Sequence, residues 1–135
     1  MLLLDCMQKS ILFIDDSIAV LKVLQIQIED SGLNHEFHVE YISKPTQTID
    51  LIQELTAIGI EKIVIVLDFE MPELNGAELI KIIKKEYPNI KFIMLSGQAS
   101  ETLVEELFES KSLDAYFSKP WDVNQLFTQI KLSLS

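Results

Sequence analysis

Five residues in this 135-residue chain carry groups able to manage a reacting anion, and each lies at the end of a short apolar run. The first run ends Phe13-Ile14-Asp15-Asp16-Ser17, the third Val66-Leu67-Asp68-Phe69-Glu70, the fourth Met94-Leu95-Ser96-Gly97 and the fifth Phe117-Ser118-Lys119-Pro120. Three carboxylates, a hydroxyl and an ammonium converge if these ends share one edge. Gathered carboxylates repel, because like charges a few ångströms apart disfavour joint ionisation. Two unit charges 4 Å apart interact by roughly 1 kcal/mol in bulk water and about four times that near a protein surface. One lysine offsets part of this cost. A divalent cation offsets more, and all-oxygen ligation with room for waters suits Mg²⁺.

A phosphoryl group on an aspartate presents three charged oxygens, and its transfer is mainly a matter of positioning and charge stabilisation. Mg²⁺ can take one of those oxygens, the Lys119 ammonium a second and the Ser96 hydroxyl a third. Backbone N–H groups after Asp68 and after Ser96 offer further donors. Taken singly, each signal has a plainer reading. Asp15-Asp16 with Ser17 also reads as a helix cap, Asp68 as a cap or turn residue, Ser96-Gly97 as turn chemistry and Lys119 as a solvated lysine. Only an edge shared by all of them separates the two readings.

The elements that would create such an edge alternate along the chain. Apolar or β-branched runs at Ser10–Ile14, Phe37–Ile42, Ile63–Leu67, Lys91–Leu95 and Ala115–Ser118 read as strands. Segments of helical period follow at Ile18–Ser31, Thr46–Ile58, Gly76–Glu86, Ser100–Ser110 and Val123–Leu134. In the last of these, Val123, Leu126, Phe127, Ile130 and Leu134 form one stripe behind an Asp122 N-cap. The third helix stops at Tyr87, before Pro88, where the pre-proline restriction acts. Ile63-Val64-Ile65-Val66-Leu67 is apolar throughout, which predicts a strand covered on both faces. Five βα units in series predict a parallel, doubly wound α/β sheet, with chemistry outside the carboxyl ends of its strands.

Hydrophobic residues at 48% and charged residues at 24% fit a globular domain. Net charge is −10 and all 11 basic residues are lysines, a balance that argues against direct nucleic-acid binding. No apolar run reaches bilayer length, Met1-Leu2-Leu3-Leu4-Asp5 lacks the features of a signal peptide, and a lone Cys6 forms no internal disulfide. A cytoplasmic protein without membrane insertion is expected. Residues 1–9 read as a tail or an extension of the first strand, and residues 10–135 as one domain.

The distributed motif Asp15-Asp16, Leu67-Asp68-Phe69-Glu70-Met71-Pro72-Glu73-Leu74-Asn75-Gly76, Ser96-Gly97 and Lys119-Pro120 resembles the response-regulator receiver domains of two-component signalling, from Lys9 to about Leu134. The resemblance implies a flavodoxin-like five-stranded sheet of order 2-1-3-4-5, for which the chemotaxis receiver is a known example. It implies Asp68 as phosphoacceptor, Asp16 as a direct Mg²⁺ ligand, Asp15 holding a metal-bound water, and the Glu70 backbone carbonyl as a further ligand. Ser96 takes the place of the hydroxyl that moves toward the phosphoryl group. Lys119 takes the family lysine, followed by a cis bond to Pro120, and Tyr116 matches the aromatic that turns inward on phosphorylation. Pro72, Gly76 and Pro120 are structural positions. Gly97 stands where many relatives carry Ala, and Glu70 and Gln98 occupy positions that tune phosphoryl lifetime.

The same resemblance implies a self-catalysing phosphoacceptor rather than a turnover enzyme. Its donor would be a histidine kinase or a histidine phosphotransfer protein, and its output a protein target met by the fourth helix, fifth strand and fifth helix. With Met1 favouring a natural start and no effector domain before Ser135, a stand-alone receiver is expected, the alternative being a segment of a longer regulator. The outer side of the first helix, where Ala19, Val23 and Ile26 extend the Ile18, Leu21, Leu24 and Ile28 stripe, is a candidate surface for the donor. A flavodoxin-type redox protein is disfavoured, because Asp15-Asp16 stands where its phosphate loop would be. A haloacid-dehalogenase-type phosphatase would place its nucleophile on the first strand. A phosphate-independent pseudo-receiver is the remaining alternative, although such proteins usually lose an acidic residue or the lysine.

Overall fold

The computed structural model describes residues 8–97 and 101–135. Five parallel strands, β1 (Lys9–Ile14), β2 (His38–Ile42), β3 (Lys62–Asp68), β4 (Lys91–Ser96) and β5 (Ala115–Ser118), form one sheet in the order β2-β1-β3-β4-β5. The helices between and after them are α1 (Ile18–Ser31), α2 (Thr48–Ala57), α3 (Gly76–Glu86), α4 (Glu101–Glu109) and α5 (Val123–Leu134). The doubly wound α/β fold read from the sequence is the fold observed.

Both faces of the sheet are covered. Leu12, Ile14, Ile63, Ile65, Leu67, Phe92 and Met94 pack with residues of α2, α3 and α4, among them Ile52, Ile80 and Leu107. The alternate residues Ile11, Phe13, Val64, Val66, Ile93 and Leu95 pack with α1 and α5 through Leu24, Ile28, Leu126 and Ile130. The unbroken apolar run of β3 follows from this: a central parallel strand has no solvent face. The edge strands β2 and β5 are only half-buried along most of their length.

Helix ends are set by local chemistry. The Ser17 hydroxyl accepts from the Val20 N–H, Asn75 Oδ1 from the Glu78 N–H, and Asp122 Oδ1 from the Gln125 N–H, which caps α1, α3 and α5 in turn. Helix α1 ends at Gly32, whose φ of 79° is the left-handed conformation that favours glycine.

Three departures from the sequence reading have physical causes. The second helix begins at Thr48 rather than Thr46, because Pro45–Gln47 forms a separate 3₁₀ turn. A one-turn helix, Leu33–Glu36, follows Gly32 and is too short to leave a periodic signature. Ile18, read as part of the inner stripe of α1, is instead 62% exposed. It is the first residue of the helix and follows the acidic loop at the sheet edge.

Ile65 is fully buried at the centre of β3. Truncation there loses transfer free energy and leaves a cavity. Ile65→Ala is expected to cost about 2–5 kcal/mol in urea unfolding, whereas Val23→Ala on the exposed side of α1 stays within about 0.5 kcal/mol.

Candidate functional site

Strand register brings the reactive residues together. Ile14 lies opposite Leu67, Asp68 opposite Leu95, and Ser96 opposite Ser118, so four strands end at a common edge. Oxygens of Asp15, Asp16 and Asp68 all lie within 4.8 Å of one another there. Asp15 and Asp68 are buried, at 3% and 8% exposure, while Asp16 is exposed. An all-oxygen donor set with one side open to water fits a hard divalent cation that keeps part of its hydration shell.

Lys119 reaches into the cluster from the β5–α5 loop. Its Nζ donates to Asp15 Oδ2 at 2.8 Å and lies 3.4 Å from Asp68 Oδ2. Asp15 Oδ1 also accepts the Ser17 N–H at 2.9 Å, and the backbone N–H of Asp15 donates to the Ile42 carbonyl at 3.1 Å. Asp15 is therefore held by the start of α1, by β2 and by Lys119. Asp68 is held less firmly: besides Lys119, its Oδ1 accepts one long bond, 3.4 Å, from the Glu70 N–H.

These contacts set the electrostatics. Burial raises the Asp68 carboxyl above the usual carboxylate range, and the Asp15 charge adds to the rise against the Lys119 ammonium and the Glu70 N–H. Burial is also the largest single influence on Lys119 and works to lower it. Its bond to Asp15 and the charges of Asp15 and Asp68 together outweigh that, so the ammonium is held above its ordinary range.

Ser96 is buried at the end of β4. Its carbonyl accepts both the Lys119 N–H and the Tyr116 hydroxyl, each at 3.1 Å. Tyr116 is half-buried against the core on the α2, α3 and α4 side. Gly97 is exposed, and a Cβ added there would meet nothing within 4 Å among the described residues. The Lys119–Pro120 bond is cis, as the motif implies. Glu70 and Pro72 are exposed in the β3–α3 loop. Gln98 lies outside the described residues.

Gly76 has a steric reason to be glycine. A Cβ on it would stand 2.4 Å from the Asp68 carbonyl oxygen, and its N–H donates to the Phe69 carbonyl at 2.8 Å. The start of α3 thus lies directly against the backbone of Asp68.

Trp121 escaped the reading of the sequence. Its indole N–H donates to Gln27 Oε1 at 3.1 Å, tying the β5–α5 loop to α1. The available signal was an aromatic with a polar tip two residues after Lys119.

The model of the response regulator receiver domain matches residues 11–131. The chain belongs to the response-regulator receiver family. Its relatives include the chemotaxis protein CheV1 of Helicobacter pylori, 30% identical over 122 residues, which are 88% of this chain and 37% of that protein. The sensor kinase CckA of Brucella abortus is 30% identical over 95 residues, 70% of this chain and 10% of the kinase. The receiver domain spans well under half of either relative. A CheY-like receiver structure from Methanospirillum hungatei is 28% identical, with a TM-score of 0.77 over 93% of each chain. The beryllofluoride-activated NtrC4 receiver domain dimer is 25% identical, with a TM-score of 0.75 over 95% of this chain and 97% of that one. This is a receiver domain of two-component signalling, and receivers are in general phosphoacceptors rather than turnover enzymes. Among the described residues, no helix is long and apolar enough to cross a membrane.

A carboxyl group raised by folding favours the folded state below its ordinary pKa, and that contribution is lost as pH rises through the raised value. With no divalent cation present, the ionised Asp68 is therefore a net cost at neutral pH. Asp68→Asn is expected to melt above the wild type at pH 7, in the direction set by the raised carboxyl. The difference should close as the pH is lowered toward 4 in the same thermal scans.

Proposed function

We propose that this receiver accepts a phosphoryl group on Asp68 from the phosphohistidine of a kinase or phosphotransfer protein, with Mg²⁺, and signals through a change at its α4-β5-α5 surface. The reading rests on one observation: a buried, electrostatically unfavoured carboxylate with an ammonium 3.4 Å away and two further carboxylates beside it. Residues 10–135 form the responding unit in this reading. Asp15, Asp16, Asp68 and the Glu70 carbonyl would hold the cation, Asp15 through a water. When bound, Mg²⁺ supplies positive charge against both the carboxylates and the incoming phosphoryl oxygens.

An Asp68 oxygen attacks phosphorus while the P–N bond breaks with its electron pair returning to the imidazole nitrogen. The product is an acyl phosphate on Asp68. Lys119 leaves its position between Asp15 and Asp68 to hold one phosphoryl oxygen, and the Ser96 hydroxyl donates to another. The long bond from the Glu70 N–H leaves Asp68 Oδ1 weakly engaged and available. Glu70 and Gln98 occupy the family positions that tune how long the signal lasts.

Ser96 links this chemistry to β5. A shift of Ser96 toward the phosphoryl group displaces the carbonyl that holds the Tyr116 hydroxyl. Tyr116 is then released to repack, which alters the face presented to a protein target.

Intact mass after incubation with acetyl phosphate and Mg²⁺ tests the acceptor. A gain of one phosphoryl group is expected, absent without metal and absent in Asp68→Asn. A wild type that neither gains mass nor retains beryllofluoride would leave a phosphate-independent binding module in its place.

The outer side of α1 is the proposed seat of the donor. Ile18, Val23 and Ile26 are 62%, 45% and 59% exposed there, beside the site. Ile26→Glu is expected to slow transfer from a histidine-containing donor at least tenfold, with acetyl phosphate labelling within twofold of wild type. Equal transfer to both proteins would remove α1 from the interface.

A further inference from the structure

Lys119 is attached to the rest of the molecule at both ends of its side chain and again through the loop that follows it. Its backbone N–H donates to the Ser96 carbonyl, and its ammonium meets Asp15 and Asp68. Two residues later, the half-buried Trp121 packs against the core between the sheet, α1 and α5 and donates its indole N–H to Gln27 at 3.1 Å. Asp122 then caps α5. The short connection carrying Lys119 is thus pinned to α1 by a polar contact between residues 94 positions apart.

Gln27 lies one helical turn from Val23, on the same side of α1, and next to Ile26. Both neighbours are exposed apolar residues, at 45% and 59%. A partner seated on that side of α1 therefore touches the residue that holds Trp121. Lysine has a long flexible stem, so the loop that carries it matters for where the ammonium rests.

We propose that Trp121 is a positioning residue for Lys119: its hydrogen bond to Gln27 fixes the Lys119 loop against α1, and a donor docked on α1 adjusts the ammonium through this bond. The proposal deepens the phosphoacceptor reading and rests on it. Loss of the bond leaves the carboxylates and Ser96 in place and loosens only the placement of Lys119.

The test uses the full chain with acetyl phosphate and saturating Mg²⁺, following the labelling rate by intact mass. Wild type is set beside Gln27→Ala, Trp121→Phe and the double variant. Phenylalanine keeps a ring and removes the donor. Each single variant is expected to label two- to tenfold more slowly at saturating acetyl phosphate. The double variant should be no slower than the slower single, as for two residues acting through one bond. Rates equal to wild type, or single effects that multiply in the double variant, would overturn the proposal. Should Trp121→Phe unfold by circular dichroism, Gln27→Ala decides alone, because alanine is well tolerated in a helix.

Trp121 is the one tryptophan in the chain, so its emission reports this contact directly. Beryllofluoride with Mg²⁺ is expected to shift that emission in the wild type, and to shift it less in Gln27→Ala. Equal shifts in the two proteins would also overturn the proposal. A wild type that takes no label at all is a different failure: it removes the phosphoacceptor reading itself, and the positioning role with it.

Discussion

Repulsion among three carboxylates is the constraint around which this receiver domain is arranged. Their oxygens lie within 4.8 Å of one another, and one lysine answers them from the far side of the sheet edge. The ammonium is unevenly shared, 2.8 Å from Asp15 and 3.4 Å from Asp68. Asp15 consequently has three anchors and Asp68 has weaker ones. The carboxylate that the reading makes the acceptor is the one with the weaker compensation, so its resting state is poised for a cation and for phosphorylation. A cluster built for stability alone would divide its compensation differently.

Such a site needs a scaffold that resists the repulsion. The parallel sheet provides it, because β3 is buried on both faces and cannot recoil from either neighbour. Strand register then converts backbone hydrogen bonding into side-chain placement. Asp15 follows Ile14 and Asp68 follows Leu67, and those two partners lie side by side. Energy stored in core packing holds the charges in place, and the lower local dielectric of the same core sharpens their interactions.

Much of this was legible in the chain itself. The ranges of α1, α3, α5 and β5 follow from periodicity and caps, and the edge residues stand at the ends of apolar runs. Burial within the cluster was not legible: Asp15 and Asp16 are adjacent and chemically identical, yet one is buried and the other exposed, a difference set by which way the strand leaves the sheet. Ile18 was misplaced because helical period says which residues share a side, but not where the covering layer ends. The Trp121–Gln27 contact joins segments too distant in sequence for any local pattern to show it. The need for glycine at 76 was visible as a motif position, while its cause, the Asp68 carbonyl, belongs to the packed backbone alone.

That close approach at Gly76 makes the β3–α3 loop a measured spacer. With α3 seated on the carbonyl of Asp68, any side chain at position 76 would press on the backbone of the acceptor strand. Anyone transplanting this loop into another receiver would have to carry its glycine across, since a bulkier residue there would push against the acceptor's own carbonyl. Added bulk is more easily accommodated across the sheet edge, at Gly97, where a Cβ meets nothing within 4 Å among the described residues.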